Sequence, residues 1–229
     1  MRQRLLLSSQ GIQPELEDVF LTCLHKTPDR NKVSFITTAA YGEDNKPEWL
    51  EVYKKQLQDC GIKIIEEFDL KDKMQKEVND ELFDKDIIFI NGGNTFYLLY
   101  WIKKSGFDKL LPKFLKEGKL YVGVSAGSYI VCPTIETATW KHTDRNKIGL
   151  KDLTGLNLVP FLITSHFEEK YRSAIEKSAK TTKYPIVALY DTQAVLVEDT
   201  TYKVVGKGRK EFFNDFEELT GLASDTHKI

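Results

Sequence analysis

Acyl transfer needs a nucleophile, a base beside it and donors for the oxyanion, and one stretch of this sequence has the spacing for the first. Gly123-Val-Ser125-Ala-Gly127 directly follows the apolar run Leu120-Tyr-Val-Gly-Val124 and precedes a helical pattern, the strand-turn-helix setting of a nucleophile elbow. A turn that tight crowds the backbone around its serine, and glycines two residues to either side remove the Cβ atoms that would collide. The serine oxygen then projects above the carboxyl ends of the strands, where amides of the first helical turn, Ala126 foremost, point at the reacting atom. An ordinary glycine-rich turn with a capping serine has the same letters, and it is the flanking strand and helix that favour chemistry. A second small-residue turn, Asn91-Gly-Gly93-Asn94-Thr95, follows the run at residues 86–90 and can offer an oxyanion another unhindered backbone N–H. It lacks the glycine spacing of a phosphate or dinucleotide loop.

A serine nucleophile needs a base, and the chain has four histidines: His25, His142, His166 and His227. His227 is close to the C-terminus, His25 ends the first helical stretch, and His142 lies in the polar loop Trp140-Lys-His-Thr-Asp144, where it stays a rival. His166 follows the apolar run Phe161-Leu-Ile-Thr-Ser165 and so leaves a strand at the same edge as Ser125, which favours it as the base. The acid that would orient the imidazole is less determined. Asp191 ends the run Ile186-Val-Ala-Leu-Tyr190 at that edge, with Glu136, Asp144, Glu168 and Glu169 as competitors.

These positions require a particular scaffold. Short apolar runs at Leu5-Leu-Leu-Ser8, Val33-Ser-Phe-Ile-Thr37, Ile62-Lys-Ile-Ile65, residues 86–90 and Leu120–Val124 read as strands buried on both faces. Helical faces separate them: Leu50, Tyr53 and Leu57 form one, and Leu70, Met74, Val78 and Leu82 another. The alternation predicts a mostly parallel sheet with helices on both sides. After a polar stretch at residues 139–154 come a strand at 159–164, a helix at 168–180, a strand at 186–190 and a hairpin formed by Ala194-Val-Leu-Val197 and Tyr202-Lys-Val-Val205. Nothing marks a domain boundary, so residues 1–229 are expected to form a single α/β domain whose one sheet edge assembles the site.

Composition narrows the class further. Lys plus Arg number 33 against 34 for Asp plus Glu, a net charge of -1, which argues against a nucleic-acid or anionic-membrane coat. The cluster Lys203, Lys207, Arg209 and Lys210 is followed at once by acids and reads as a solvated edge. Three scattered cysteines, Cys23, Cys60 and Cys132, fit a reducing compartment, and neither a metal site nor a cofactor is expected. The start is too short in apolar residues for a signal peptide, and no run suffices for a membrane helix, so the expected location is cytoplasmic.

The blocks Ile90-Asn-Gly-Gly-Asn-Thr-Phe96, Tyr121-Val-Gly-Val-Ser-Ala-Gly127 with Cys132-Pro-Thr-Ile135, and Leu158-Val-Pro-Phe with Ser165-His-Phe167 resemble, in this order, the peptidase E family of serine exopeptidases, related to aspartyl dipeptidases and cyanophycinases. The resemblance spans most of the chain. It implies a class I glutamine-amidotransferase-like three-layer α/β sandwich, with Ser125 as nucleophile, His166 as base, Asp191 as third triad member and the amides of Gly93 and Ala126 as the oxyanion hole. Aspartyl dipeptidases resemble this pattern with Glu in place of the Asp. They also carry a longer segment after the histidine, whereas Phe167-Glu-Glu-Lys-Tyr-Arg172 is compressed and brings two acids to the site. Asn94 and Arg172 are candidate substrate contacts; Lys141 and Arg145 read more simply as solvated charges, and preference for an N-terminal Asp is not expected. The resulting expectation is a serine dipeptidase acting on short peptides, as a monomer or homodimer. The alternatives are an α/β-hydrolase-type esterase using Asp144 or Asp152 as its acid, and a relative that binds a peptide or metabolite without turnover.

Overall fold

The computed structural model describes residues 3–42, 48–141 and 144–214; His142 and His227 lie outside them. The chain starts with β1 (Arg4–Ser8), α1 (Glu17–Thr22), β2 (Lys32–Ile36), α2 (Trp49–Asp59) and β3 (Ile64–Phe68). It continues with α3 (Gln75–Phe83), β4 (Ile87–Ile90), α4 (Thr95–Ser105), α5 (Phe107–Lys116), β5 (Leu120–Val124) and the single turn α6 (Ala126–Tyr129). After an irregular stretch come β6 (Leu162–Thr164), α7 (Arg172–Ala179), β7 (Ile186–Ala188), β8 (Gln193–Glu198), β9 (Thr201–Gly206) and β10 (Glu211–Phe213).

Seven strands form the main sheet in the order β3-β2-β4-β5-β1-β8-β9. Pairing is parallel from β3 to β1 and antiparallel from β1 through β8 to β9, the expected hairpin. Alternation along each strand divides the core between the two faces. Leu6, Phe35, Phe89 and Val122 pack with Phe20 of α1 and Leu50, Tyr53 and Leu57 of α2. Their neighbours Leu5, Leu7, Ile88, Ile90 and Tyr121 pack with α3, α4 and α5 on the other face. Phe35 and Phe89, paired across β2 and β4, stack at 5.3 Å. The helix-sheet-helix layering is the class I glutamine-amidotransferase-like fold.

Three expectations are corrected. His166 and Asp191 do not leave the main sheet: they follow β6 and β7, which with β10 make a separate three-stranded sheet of order β10-β7-β6. Strands of three residues leave too little periodicity to be assigned to one sheet or another from sequence. Met74, predicted on the inward face of a helix, is 72% exposed and precedes α3, and the edge strand β3 is largely exposed. Edge position accounts for β3, because it has a neighbour on one side only.

Candidate active site

The β1/β5 register sets Ser8 opposite Val124, so the residue after β5 arrives beside the carboxyl end of β1. Ser125 N–H donates to Ser8 O at 3.0 Å, and Ser125 O accepts from Ser128 N at 2.8 Å and Tyr129 N at 3.0 Å, which starts α6. Between these bonds Ser125 is held at φ 47, ψ -103, a region ordinary serines avoid. Its glycines are required by close backbone approach. A Cβ on Gly123 would lie 2.5 Å from Gly127 O, and one on Gly127 would lie 2.4 Å from Ile90 O. Tyr121 Oη donates to Gly127 O at 2.6 Å, and Ser128 Oγ lies 2.9 Å from Ser8 O and 2.8 Å from Gly123 O, so the turn is braced from inside. Gly127→Ala should therefore lower stability by about 1–3 kcal/mol. Thermal unfolding would register this as roughly 2–4 °C per kcal/mol, with loss of activity as the elbow shifts.

The loop after β4 lies against this turn. A Cβ on Gly92 would stand 3.4 Å from Ser125 Cβ, and Gly93 adopts φ +133 where a Cβ would meet Ala39 O at 2.4 Å. Among the described residues neither Gly93 N–H nor Ala126 N–H has an acceptor. Both are therefore available to an incoming oxygen. Asn94 N–H donates to Ala39 O at 2.9 Å, fixing the loop, and the Asn94 side chain caps α4 by accepting from Tyr97 N at 3.0 Å while donating to Arg145 O at 2.9 Å. That side chain is engaged in tethering, with one amide hydrogen left for any substrate.

His166 has φ 55, and its N–H donates to Ser9 Oγ at 2.7 Å. Ser8 thus holds Ser125, and the next residue holds His166. The imidazole Nδ1 lies 2.6 Å from Asp191 Oδ1, and Ser9 Oγ donates to the same carboxylate oxygen at 3.0 Å. Asp191 sits in the turn between β7 and β8, closed by Gln193 N–H to Tyr190 O at 2.9 Å and by Tyr190 N–H to Gln193 Oε1 at 3.2 Å. Burial raises the Asp191 carboxyl's pKa, but hydrogen bonding and charge from His166, the Ser9 hydroxyl and Lys141 prevail and hold it below the ordinary carboxylate value. Among the described residues no hydrogen bond joins Ser125 Oγ to His166, and contacts of this kind tighten when substrate binds.

The rival acids are engaged with other partners, although Asp144 lies near enough to His166 and Lys141 to interact with their charge. Asp144 accepts from Thr95 N at 2.8 Å, and burial raises its carboxyl above the usual range. Asp152 pairs with Lys103 at 2.7 Å on the surface. Glu136 accepts from Thr182 Oγ1, Glu168 pairs with Lys170, and Glu169 pairs with Arg172. Arg172 is further tied to the buried Glu211 at 2.9 Å and lies over the Phe167 ring, so its charge is already committed. Lys141 corrects the solvated reading: it is 9% exposed, with its Nζ donating to the carbonyl of Ser165. Tyr129 Oη accepts from Ser165 N at 2.8 Å. Spacing alone does not single out Ser8, Ser9, Tyr129 or Lys141, although Ser8 ends β1 and Ser9 follows it at the edge where Ser125 emerges. A half-open pocket of about 330 Å³, lined by Cys23, His25 and Lys119 among others, lies at the opposite edge of the strands and holds none of this chemistry. Among the described residues no group of three or more His, Cys, Asp or Glu could hold a metal, and no helix is long and apolar enough to cross a membrane.

Comparison with known proteins gives a consistent result. The profile of peptidase family S51 matches residues 5–205. An uncharacterized peptidase of Listeria monocytogenes is 34% identical over 160 residues, 67% of this chain and 77% of its own length. Peptidase E of Shewanella denitrificans is 25% identical over 232 residues, covering 96% and 94%. A solved structure from Listeria monocytogenes EGD-e, assigned to peptidase E, superposes with a TM-score of 0.77 at 25% identity over 91% of this chain and all of that one. The family and fold leave the α/β-hydrolase alternative without support. The chain belongs to peptidase family S51, the family of peptidase E, and is a serine peptidase.

Proposed function

We propose that this peptidase is a dipeptidase that works through an acyl-enzyme formed on Ser125. His166 Nε2 takes the Ser125 proton as Oγ attacks the scissile carbonyl, and the amides of Gly93 and Ala126 receive the oxyanion. The imidazolium then returns its proton to the departing amine, and water repeats the cycle on the ester. Asp191 fixes the tautomer in which Nδ1 carries hydrogen and Nε2 faces the serine. The observation that carries this reading is the shared anchor on β1: Ser8 O holds the elbow, and Ser9 Oγ holds His166 and touches Asp191. The reading takes residues 1–229 as one domain acting without a cofactor.

A library of dipeptides with free and blocked N-termini, run beside a fluorophosphonate probe, tests it. Hydrolysis of free dipeptides and covalent labelling at Ser125 are expected. Labelling without cleavage of any dipeptide would rule out the dipeptidase assignment while keeping an activated serine.

A further inference from the structure

An ammonium taken out of water without a carboxylate partner is an unfavourable thing for a fold to hold. The chain shows how it accommodates a buried lysine for structure alone: Lys85, 5% exposed, is ringed by Asp84, Glu66 and Glu81 at 2.6, 3.1 and 3.7 Å. Lys141 is buried almost as deeply and differs in that respect. Among the described residues no carboxylate lies within ion-pair distance of its Nζ; the acceptor it has is the Ser165 carbonyl, and the Tyr171 ring lies 5.6 Å away. Asp191, Asp144 and Glu168 act on it only through longer-range charge, and burial outweighs them, pushing the ammonium down to about 8. Of its three N–H donors, two remain for a ligand.

We infer that Lys141 binds the free α-carboxylate of the amino acid that departs from the substrate, which makes it a specificity residue for dipeptides. The inference rests on the dipeptidase reading. Lys141 is tied to the carbonyl of the residue immediately before His166, and the imidazole must deliver its proton to the leaving nitrogen. In this proposal the group fixed to the histidine's own peptide stands on the leaving-group side. In a dipeptide that nitrogen is separated from the carboxylate by a single carbon, within reach of an ammonium beside the histidine. The neighbouring cations cannot substitute, because Arg172 is paired with Glu169 and Glu211 and Lys170 with Glu168. A carboxylate arriving at Lys141 completes an ion pair that the fold leaves open. A longer peptide or an amide brings a neutral group instead and leaves the ammonium unpaired, so the same residue attracts one substrate and disfavours the other.

The test compares kcat/KM for dipeptides and for the same dipeptides amidated at the C-terminus, in the wild type, Lys141→Met and Lys141→Arg. The wild type should prefer the free acid, and Lys141→Met should shrink the acid-to-amide ratio on the order of 10- to 100-fold, mainly through KM. Lys141→Arg should keep part of the preference. Lys141→Met should also unfold at a higher temperature than the wild type, since it removes a buried charge that the free protein leaves unpaired. Equal losses on both substrates, with the ratio unchanged, would overturn the proposal and leave Lys141 as a brace for the Ser165–His166 peptide. A wild type with no preference for the free carboxylate overturns it without any variant. Failure of the wild type to cleave dipeptides at all would instead remove the dipeptidase reading, and this proposal with it.

Discussion

Ser125→Ala should lower kcat on the order of 10⁵- to 10⁶-fold and leave the thermal unfolding temperature close to that of the wild type. The two halves of this expectation come from different atoms. The elbow is held by backbone groups, Ser125 N–H to Ser8 O and Ser125 O to the amides of Ser128 and Tyr129, and by the absence of side chains at Gly123 and Gly127. An alanine keeps all of these and occupies the same φ 47 with the same Cβ. What it removes is Oγ, and with it any route to an ester intermediate. The amides of Gly93 and Ala126 stay in place, so the residual rate reports polarisation of the carbonyl and binding alone. Steady-state kinetics on a cleaved dipeptide, with circular dichroism to follow unfolding, checks both halves. A variant that keeps substantial turnover would exclude Ser125 as nucleophile.

The same distinction between backbone and side chain explains what could be read from the sequence. The elbow was legible because its meaning lies in what is missing: glycines at 123 and 127 are demanded by backbone oxygens 2.4–2.5 Å from where a Cβ would stand. Strands β1, β2, β4 and β5 were legible because burial on both faces writes itself as an unbroken apolar run. Ser8 and Ser9 carried no such mark, since their role depends on the parallel register that sets β1 beside β5, a pairing between distant segments. No local pattern distinguishes a buried Lys141 from a solvated one; that depends on Ser165 and Tyr171, brought in by tertiary packing. The sequence leaves Arg172 open as a substrate contact for the matching reason, because Glu211, which pairs with it, belongs to a strand far along the chain. The sequence pattern thus locates the candidate catalytic groups more readily than the neighbours that decide whether a charge is spoken for.

Asp191→Asn is expected to lower kcat by about four powers of ten with little change in KM. Asp191 Oδ1 accepts the imidazole Nδ1–H at 2.6 Å and the Ser9 Oγ–H at 3.0 Å, so the carboxylate offers only acceptance on the side facing the ring. An asparagine there can present its NH₂ to Nδ1 instead. The imidazole would then carry its hydrogen on Nε2, the position that has to accept the serine proton, and would no longer stabilise as imidazolium. Because the Asp191 carboxyl is held below its ordinary range, its protonation does not set the acid limb of the wild-type rate profile. Loss in the Asn variant therefore reflects tautomer and charge at every working pH. Ser9→Ala provides the graded control: it removes one donor to the carboxylate and the acceptor of His166 N–H but keeps Asp191 ionised, and it should reduce kcat roughly tenfold. If Asp191→Asn loses no more than Ser9→Ala, the acid is a tether for the ring and the imidazole works without its charge.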